Sequence, residues 1–558
     1  MTEPQRRFSK MATLEIDKRE FDQLMGKNLD KEKLIEEASF LGAHWHSING
    51  NVCEVETYPN RPDLLSVEGL ARAYRGFFDI KNGRTEYNVE KGHVQVKVDE
   101  SVEDVRPHIG GAVVRGLELS EKKINGLIQL QEKMHETMGR RRDKLAIGLH
   151  DLSTVEAPFT YRAVEPEKVS FTPLEYDRDM QLGEILDQHG KGQDYAWILE
   201  DEDRYPVIED AEGKVLSFPP IINNQLTEVD SGTQDVFIDV TGKDEDTVLK
   251  ALNILTTALA ERGGEIESVN VDGEKLPDLS PEKFSLDPEY FREVSGLDLE
   301  RKEIMKRLEM MKYDAKVEEN IQVEVPCYRN DVMHQYDLIE DIIIAHRYTN
   351  IEPEIPNVDL IGSQRDIEDT AEVVRDILSE AGAMEALTYI HNSRDNLTEK
   401  ICREETNFVK VDNPLSEDYS ALRDMITPSL LEVLKQNKHR AYPQEFFETG
   451  TVTELDDSYT GASNRKKTAY IKSGSNVDFT DAREKLQILE RDLGLEIEVE
   501  ADERPFFQDS RAGKILLDGE EIGFIGQFSE EVLKNWKLGH PTAGFELDLE
   551  KVQEKLRK

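Results

Sequence analysis

Residues 322–353 read QVEVPCYRNDVMHQYDLIEDIIIAHRYTNIEP. Val323 and Val325 alternate with Glu324, which predicts a short strand ended by Pro326. A polar loop follows. Asp337 then opens an apolar-periodic run with Leu338, Ile342 and Ala345 on one helical stripe. Asp337 with Glu340 three residues on has the form of a capping box, Asp337 as N-cap and Glu340 at N3. Asp337, Glu340 and Asp341 share one end and one face of that helix, and Asp331 lies in the loop that feeds it. Carboxylates so crowded repel one another, and a hard divalent cation such as Mg²⁺, held through oxygen, offsets the repulsion. A capped helix with a solvated acidic face accounts for the same spacing without a metal, and spacing alone favours it.

The order of a strand, R-x-D at 329–331, D-L-I-E-D at 337–341 and Y-x-x-I-x-P at 348–353 resembles the B5 domain of the phenylalanine–tRNA ligase beta-subunit family, in its archaeal and eukaryotic form. The resemblance implies that Asp331, Asp337, Glu340 and Asp341 hold a magnesium ion near a contact with an alpha subunit.

The 558 residues leave room for about three to five domains. The chain has 115 acidic and 70 basic side chains and a formal charge of −45. Phosphate recognition needs Lys and Arg. The balance therefore points either to a chain that never touches nucleic acid or to salt-adapted surroundings, where acidic surfaces are general. The acidic residues are scattered along the whole chain, which favours the second. Cys53, Cys327 and Cys402 lie far apart, which argues against a disulfide framework and a Cys-rich zinc site. No apolar run approaches the length of a membrane span, and the mean hydropathy is −0.60. MTEPQRRFSK lacks the apolar core of a signal peptide. The expectation is a cytoplasmic protein with no membrane partner, translated from Met1 or from Met11, where the patterned sequence begins.

The predicted fold class is multidomain α/β (α+β). An N-terminal extension at 1–10 precedes a small helical module at 11–90 (B1-like) and a long α/β region at 91–275. A second module at 280–356 ends in the proline-marked linker IEPEIPNVD, and a final α/β domain covers 365–558. Residues 291–296 mirror 21–26, ERKEIMKRLEMMKYD mirrors DKEKLIEEASFLGAH, and IQVEVPCYRND mirrors VCEVETYPNRPD. These similarities predict two copies of one helix–helix–strand–helix module. Ser66 and Gly69 stand in the first copy where Asp337 and Asp341 stand in the second, so only the second carries the acidic cluster. His44 and His46 have no ligand set beside them and read as packed or surface histidines.

Within 91–275, Lys133 and His135 sit in a helix, LIQLQEKMHETMG, that ends at Gly139. GRRRDK at 139–144 is the densest basic patch of the chain; solvated surface and RNA phosphate contact are both open for it. YPVIED and VLSF predict two strands around an EG turn, closed by Pro219 and Pro220. In DVFIDVTG, Val236, Ile238 and Val240 face one way, and Phe237, Asp239 and Thr241 the other. A helix follows with Val248, Leu252, Leu255 and Leu259 as its core stripe and Gly263 as its C-cap. One carboxylate on a strand identifies no reaction, and taken alone Asp239 reads as a strand-end group bonding the next loop.

Q-x-K-x-H, R-x-R and A-I-G-x-H-D resemble the B3/B4 domain of the same family, which in archaeal members hydrolyses tyrosine wrongly attached to tRNA(Phe). That resemblance implies a tyrosine pocket of Ile208, Ser217, Asp239 and Thr241. The last three match through L-S-x-P-P-I-I-N and F-I-D-V-T-G, and Ile208 is reached by counting back through YPVIED. The chemistry is coherent, because pocket binding alone separates such a hydroxylated pair by only about a hundredfold. A second site with a polar partner for the hydroxyl can select tyrosine. No Cys or metal constellation offers a protein nucleophile, which leaves the attacking water to the tRNA and the backbone.

V-x-N-P-x-S, L-R-x-x-x-x-P-x-L-L and F-F-E-x-G resemble the family's B6/B7 module, which has the antiparallel sheet of class II synthetases without the chemistry. Arg423 precedes a helix instead of lying in a strand pair with a Glu, and AGFELDLEKV has no Arg where a second phosphate ligand belongs. A histidine expected near Phe528 is absent, with no consequence for a predicted site. The resemblance implies a ligase that attaches L-phenylalanine to tRNA(Phe), with ATP bound on an alpha subunit and two alpha and two beta chains in the complex. A non-editing scaffold subunit and a free-standing editing hydrolase are the alternatives. The presence of Asp239 and Thr241 speaks against the first, and the B6/B7-like module against the second.

Overall fold

Apolar residues at every second position make a strand of residues 12–17, and Asp17 at its end caps the helix that follows by accepting from the Arg19 and Glu20 amides. The computed structural model describes residues 12–404 and 408–557; the expected extension at 1–10 and the alternative start at Met11 lie outside the described residues. The chain forms two units that divide between Ile355 and Pro356.

The first unit opens with β1 (Ala12–Asp17), α1 (Lys18–Met25), α2 (Lys31–Glu36), β2 (Ala43–Asn49), β3 (Val52–Thr57) and α3 (Val67–Phe77), with the strands in the order β1-β3-β2. Next come β4 (Gln95–Val98), β5 (His108–Arg115), α4 (Glu121–Glu136), β6 (Leu145–Asp151) and β7 (Phe159–Val164). They are followed by β8 (Tyr205–Glu209), β9 (Val215–Phe218), β10 (Ile222–Asn223), β11 (Val236–Gly242), α5 (Glu245–Glu261) and β12 (Glu265–Val271). These strands run β10-β9-β8-β7-β4-β12-β5-β11-β6, and two short strands on β12 complete an eleven-stranded sheet. β11 is antiparallel to both β5 and β6 and is buried along its whole length. Such a strand reads as a near-continuous apolar run, so Asp239 and Thr241 stand out in it. Val248, Leu252, Leu255 and Leu259 of α5 are buried as predicted, and Gly263 follows the helix at φ +95°.

The unit closes with β13 (Glu282–Leu286), α6 (Pro288–Ser295), α7 (Arg301–Met310), β14 (Asp314–Val317), β15 (Ile321–Val325) and α8 (Gln335–His346), in the strand order β13-β15-β14. Both small stretches thus have the order β-α-α-β-β-α, where the sequence predicted helix–helix–strand–helix. In the second stretch the two unpredicted strands are short and charged, EKFSL and DAKV, with only two apolar residues each, too brief an alternation to mark a strand. The two stretches share one hydrophobic core: Leu14, Phe21 and Leu70 of the first pack with Phe291, Leu308 and Leu338 of the second.

The capping prediction also shifts. The N-cap of α8 is His334, whose Nδ1 accepts from the Tyr336 amide at 3.2 Å, and Asp337 at N3 accepts from the His334 amide at 2.8 Å. Histidine is not among the residues that announce a cap, so the box was read three residues late. Each stretch carries an R-x-D fork: Arg61 grips Asp63 at 2.7 and 2.8 Å, and Arg329 grips Asp331 at 2.8 and 2.7 Å. Counted from these forks, N-cap Ser66 matches His334. Gly69, Arg72 and Ala73 therefore stand where Asp337, Glu340 and Asp341 do, which replaces the pairing with Ser66 and Gly69.

The second unit is a seven-stranded sheet in the order Met384–Glu385, Gln444–Leu455, Ala462–Ser473, Thr542–Asp548, Glu520–Phe528, Phe507–Leu517, Ile497–Ala501, antiparallel apart from its first pair. Alternation divides its faces. Tyr470 packs toward helices Asp366–Glu380, Phe479–Leu493 and Leu549–Leu556, whereas Ala469 and Ile471 pack toward helix Thr427–Asn437. Among the described residues, no helix is long and apolar enough to cross a membrane.

Candidate functional site

α4, β6 and the turn between β9 and β10 line a cavity of ≈ 1120 Å³, and Ser217 and Asp239 stand in its wall. Asp239 is 1 % exposed. A carboxylate so buried requires a partner, and His150 supplies it, with Nε2 at 2.7 Å from Oδ2 and Nδ1 at 2.8 Å from Thr227 Oγ1. Asp239 lies opposite Gly148 of β6. A Cβ on Gly148 would stand 2.0 Å from Asp239 Oδ2, so only glycine leaves the carboxylate its room. Ser217 Oγ is buried without a hydrogen-bond partner among the described residues.

The other two predicted pocket residues lie outside the cavity lining. Ile208 pairs across the β8–β9 ladder with Ser217 and is fully buried beside it. The hydroxyl of Thr241 accepts from Arg106 Nε at 3.0 Å. Burial pushes the Arg106 guanidinium down to about 10. That group also donates to the carbonyls of Thr241, Arg142 and Asp143 at 2.8, 3.2 and 3.0 Å.

Four lining residues lie outside the pocket expected from the sequence: Gln131, Glu132, His135 and Arg142. β6 ends the sheet, so Ile147 has backbone groups with no strand beside them. α4 supplies partners one helical turn apart. Gln131 Nε2 donates to Ile147 O at 2.7 Å, and the Ile147 amide donates to His135 Nε2 at 2.9 Å. The Q-x-K-x-H string was the available signal, but its meaning depends on which strand is the edge.

The basic run behaves as two things at once. Arg140, Arg141 and Arg142 all have positive φ, at 46°, 59° and 66°. The first two are exposed. Arg142 turns inward, donating to Glu132 Oε1 at 2.7 Å and to Ile221 O at 2.8 Å.

The carboxylates that open α8 form a second cluster. Arg329 occupies both oxygens of Asp331 and reaches Asp341 Oδ2 at 2.7 Å, where Tyr313 also donates. Asp337 Oδ2 accepts from the Met333 and His334 amides at 2.8 Å each. Burial would raise Asp331, but Arg329 and Arg61 hold it down at about 2. Glu340 is raised, by burial and by Asp341, Asp337 and Asp331. The donors are all oxygen, as Mg²⁺ prefers. Among the described residues, however, no group of three or more ligating side chains is arranged around a common metal position. His46 pairs with Glu56 on the surface, in keeping with the reading of a surface histidine.

In the second unit, Arg423 lies outside the strands and ahead of helix Thr427–Asn437, as expected, but its side chain still reaches a glutamate. It donates to Glu448 at 2.7 Å in a pair buried to 1 % on both sides. Its remaining nitrogens go to Thr451 O at 3.0 Å and Thr388 Oγ1 at 2.7 Å, which leaves no fork for a phosphate.

Two family models match the chain: the phenylalanyl tRNA synthetase beta chain CLM domain over residues 351–549, and the tRNA synthetase B5 domain over 284–348. The phenylalanine–tRNA ligase beta subunit of Pyrococcus furiosus is 43% identical over 498 residues, which are 88% of this chain and 89% of that protein. That of Thermococcus kodakarensis is 39% identical, with 97% of this chain and 98% of that protein covered. Among solved structures, an N-terminal fragment of the phenylalanyl-tRNA synthetase beta subunit from Pyrococcus horikoshii is 39% identical. It covers 60% of this chain and 99% of its own length, with a TM-score of 0.58.

Proposed function

This chain belongs to the phenylalanine–tRNA ligase beta-subunit family, and we propose that it serves a ligase joining L-phenylalanine to tRNA(Phe) with ATP while its own cavity hydrolyses mischarged Tyr-tRNA(Phe). The observation that carries the hydrolytic role is the pairing of Asp239, held through Oδ2 by His150, with the unpartnered hydroxyl of Ser217 in one cavity wall. A carboxylate held at one oxygen has its second oxygen to accept a phenol O–H. Such a bond to a charged group is worth roughly 1.5–3 kcal/mol. Phenylalanine would instead leave Asp239 desolvated and unmatched, a penalty that a hydrophobic site cannot impose. Ile208 and Thr241 support this wall: one packs beside Ser217 across the ladder, and the other anchors β11 through Arg106.

On this reading residues 91–275 are a B3/B4-type editing domain, and the stretches at 11–90 and 280–356 are duplicated modules marked by their matching forks. Residues 365–558 are a class II-like domain silent toward ATP, since Arg423 is consumed internally. The ATP site then belongs to an alpha subunit, with two alpha and two beta chains assembled around tRNA(Phe) in the cytoplasm. A magnesium ion at Asp331, Asp337, Glu340 and Asp341 is supported by the crowding of four carboxylates at the start of α8 and would share Asp331 and Asp341 with Arg329. Calorimetric titration of the complex with Mg²⁺ tests that site. Heat lost in Glu340→Gln supports it, and no heat in the wild type removes it.

Incubation of the complex with preformed Tyr-tRNA(Phe) and Phe-tRNA(Phe) tests the editing role. Preferential release of tyrosine is expected. Equal, background loss of both would hand the chain to the scaffold reading.

A further inference from the structure

We propose that Glu132 and His135 form a hydroxyl-binding corner of the cavity, which positions either the attacking water or the ribose hydroxyl beside the ester; this rests on the hydrolytic reading above.

The tautomer of His135 is set by its neighbours. Its Nε2 accepts from the Ile147 amide at 2.9 Å, so in the neutral ring the proton sits on Nδ1. Burial, opposed by Glu132, holds the imidazole down at about 4, so it is neutral near pH 7. The side chain is 2 % exposed, and Nδ1 has no hydrogen-bond partner among the described residues. The nearest acceptor is Glu132 Oε1 at 3.7 Å, beyond hydrogen-bond length.

Glu132 is an acceptor that stays ionised. Burial would raise it, but the Arg142 guanidinium, bonded to Oε1 at 2.7 Å, holds it down. Arg142 is itself fixed by Ile221 O, so the corner is preorganised. A buried N–H donor and a carboxylate acceptor, too far apart to satisfy each other, match a group that accepts from one and donates to the other. A hydroxyl or a water does both.

The reaction is ester hydrolysis. A water oxygen bonds to the ester carbon, the C–O bond to the ribose breaks, and one water proton ends on the ribose oxygen. Glu132 Oε1 is already held by the Arg142 guanidinium at 2.7 Å, so the corner orients and does not act as a base. His135 and Glu132 are positioning residues.

His135→Gln keeps an acceptor for the Ile147 amide and removes the Nδ1–H donor, whereas His135→Asn does the reverse. The full chain in its complex is assayed on Tyr-tRNA(Phe) and on the same tRNA whose terminal adenosine lacks the hydroxyl beside the ester. His135→Gln is expected to lower kcat about tenfold to a hundredfold with KM little changed. His135→Asn should lose thermal stability but retain more activity. If the corner holds water, His135→Gln is slow on both substrates. If it holds the ribose hydroxyl, the wild type is already slow on the deoxy substrate and the variant adds nothing. His135→Gln within twofold of wild type on both substrates, or an Asn variant slower than the Gln variant, overturns the proposal. If the wild type hydrolyses neither ester, the editing reading fails and the corner is read by binding of uncharged tRNA(Phe). A wild-type preference for the terminal hydroxyls that His135→Gln loses supports the corner. Equal affinities overturn it.

Discussion

At the scale of single residues, the site depends on how closely β6 and β11 approach. Gly148→Ala would put a methyl group 2.0 Å from Asp239 Oδ2 and 2.6 Å from His150 Nε2. Overpacking of this kind costs roughly 1–3 kcal/mol, so a lowered Tm and at least a tenfold loss of deacylation are expected, with phenylalanine charging retained. His135 predicts a pH dependence. Its folded-state pKa, about 4, lies below the ordinary 6.5, so the unfolded chain binds the proton more readily. The stability of the neutral form is complete above 6.5 and is lost as pH falls toward 4, by roughly 3 kcal/mol in total. The Tm of His135→Gln should therefore fall less steeply between pH 7 and 4.5; parallel melting curves would contradict this. Asp239 and Ser217 were legible as motif residues. His135 was legible in its motif but its role was not, because that role follows from β6 being an edge, a property of sheet order and not of local sequence.

At the scale of elements, the turn at 140–142 is the unusual one, with three successive arginines at positive φ. Left-handed backbone costs an L-residue about 1–2 kcal/mol, and a β-branched side chain fits it worst. Arg141 is exposed, and both substitutions remove its guanidinium from over the Trp197 ring at 5.8 Å, so the difference between them isolates the backbone term. Arg141→Gly should leave Tm unchanged or raise it, and Arg141→Val should lower it by several degrees. Equal effects of the two would show that the turn is not left-handed. The core stripe of α5 was read correctly because its 3.6-residue period is uninterrupted, while its C-cap is Arg262, one residue before the expected Gly263. The start of α8 was misplaced because Asp337 is the better cap by residue type, and only the geometry puts the cap at His334.

At the scale of the molecule, the two small modules are far apart in sequence yet share one core. A fragment of residues 12–355 should therefore unfold cooperatively. One ending at residue 278 should not, since it exposes the faces that Phe291, Leu308 and Leu338 cover. The repeat was legible in the sequence, but the mutual packing was not, since periodicity shows that a face is apolar and not what covers it. The charge of −45 predicts self-repulsion that salt relieves, so Tm should rise as KCl increases from 0.1 M toward molar concentrations. The central claim, that this chain proofreads through Asp239, is tested most directly by deacylation of preformed Tyr-tRNA(Phe) with wild-type and Asp239→Ala complexes, alongside phenylalanine charging. The account predicts a tenfold to hundredfold slower release of tyrosine by the variant, as a lost hydrogen bond to a charged group implies, with charging within about twofold of wild type. Equal deacylation by the two complexes would contradict it.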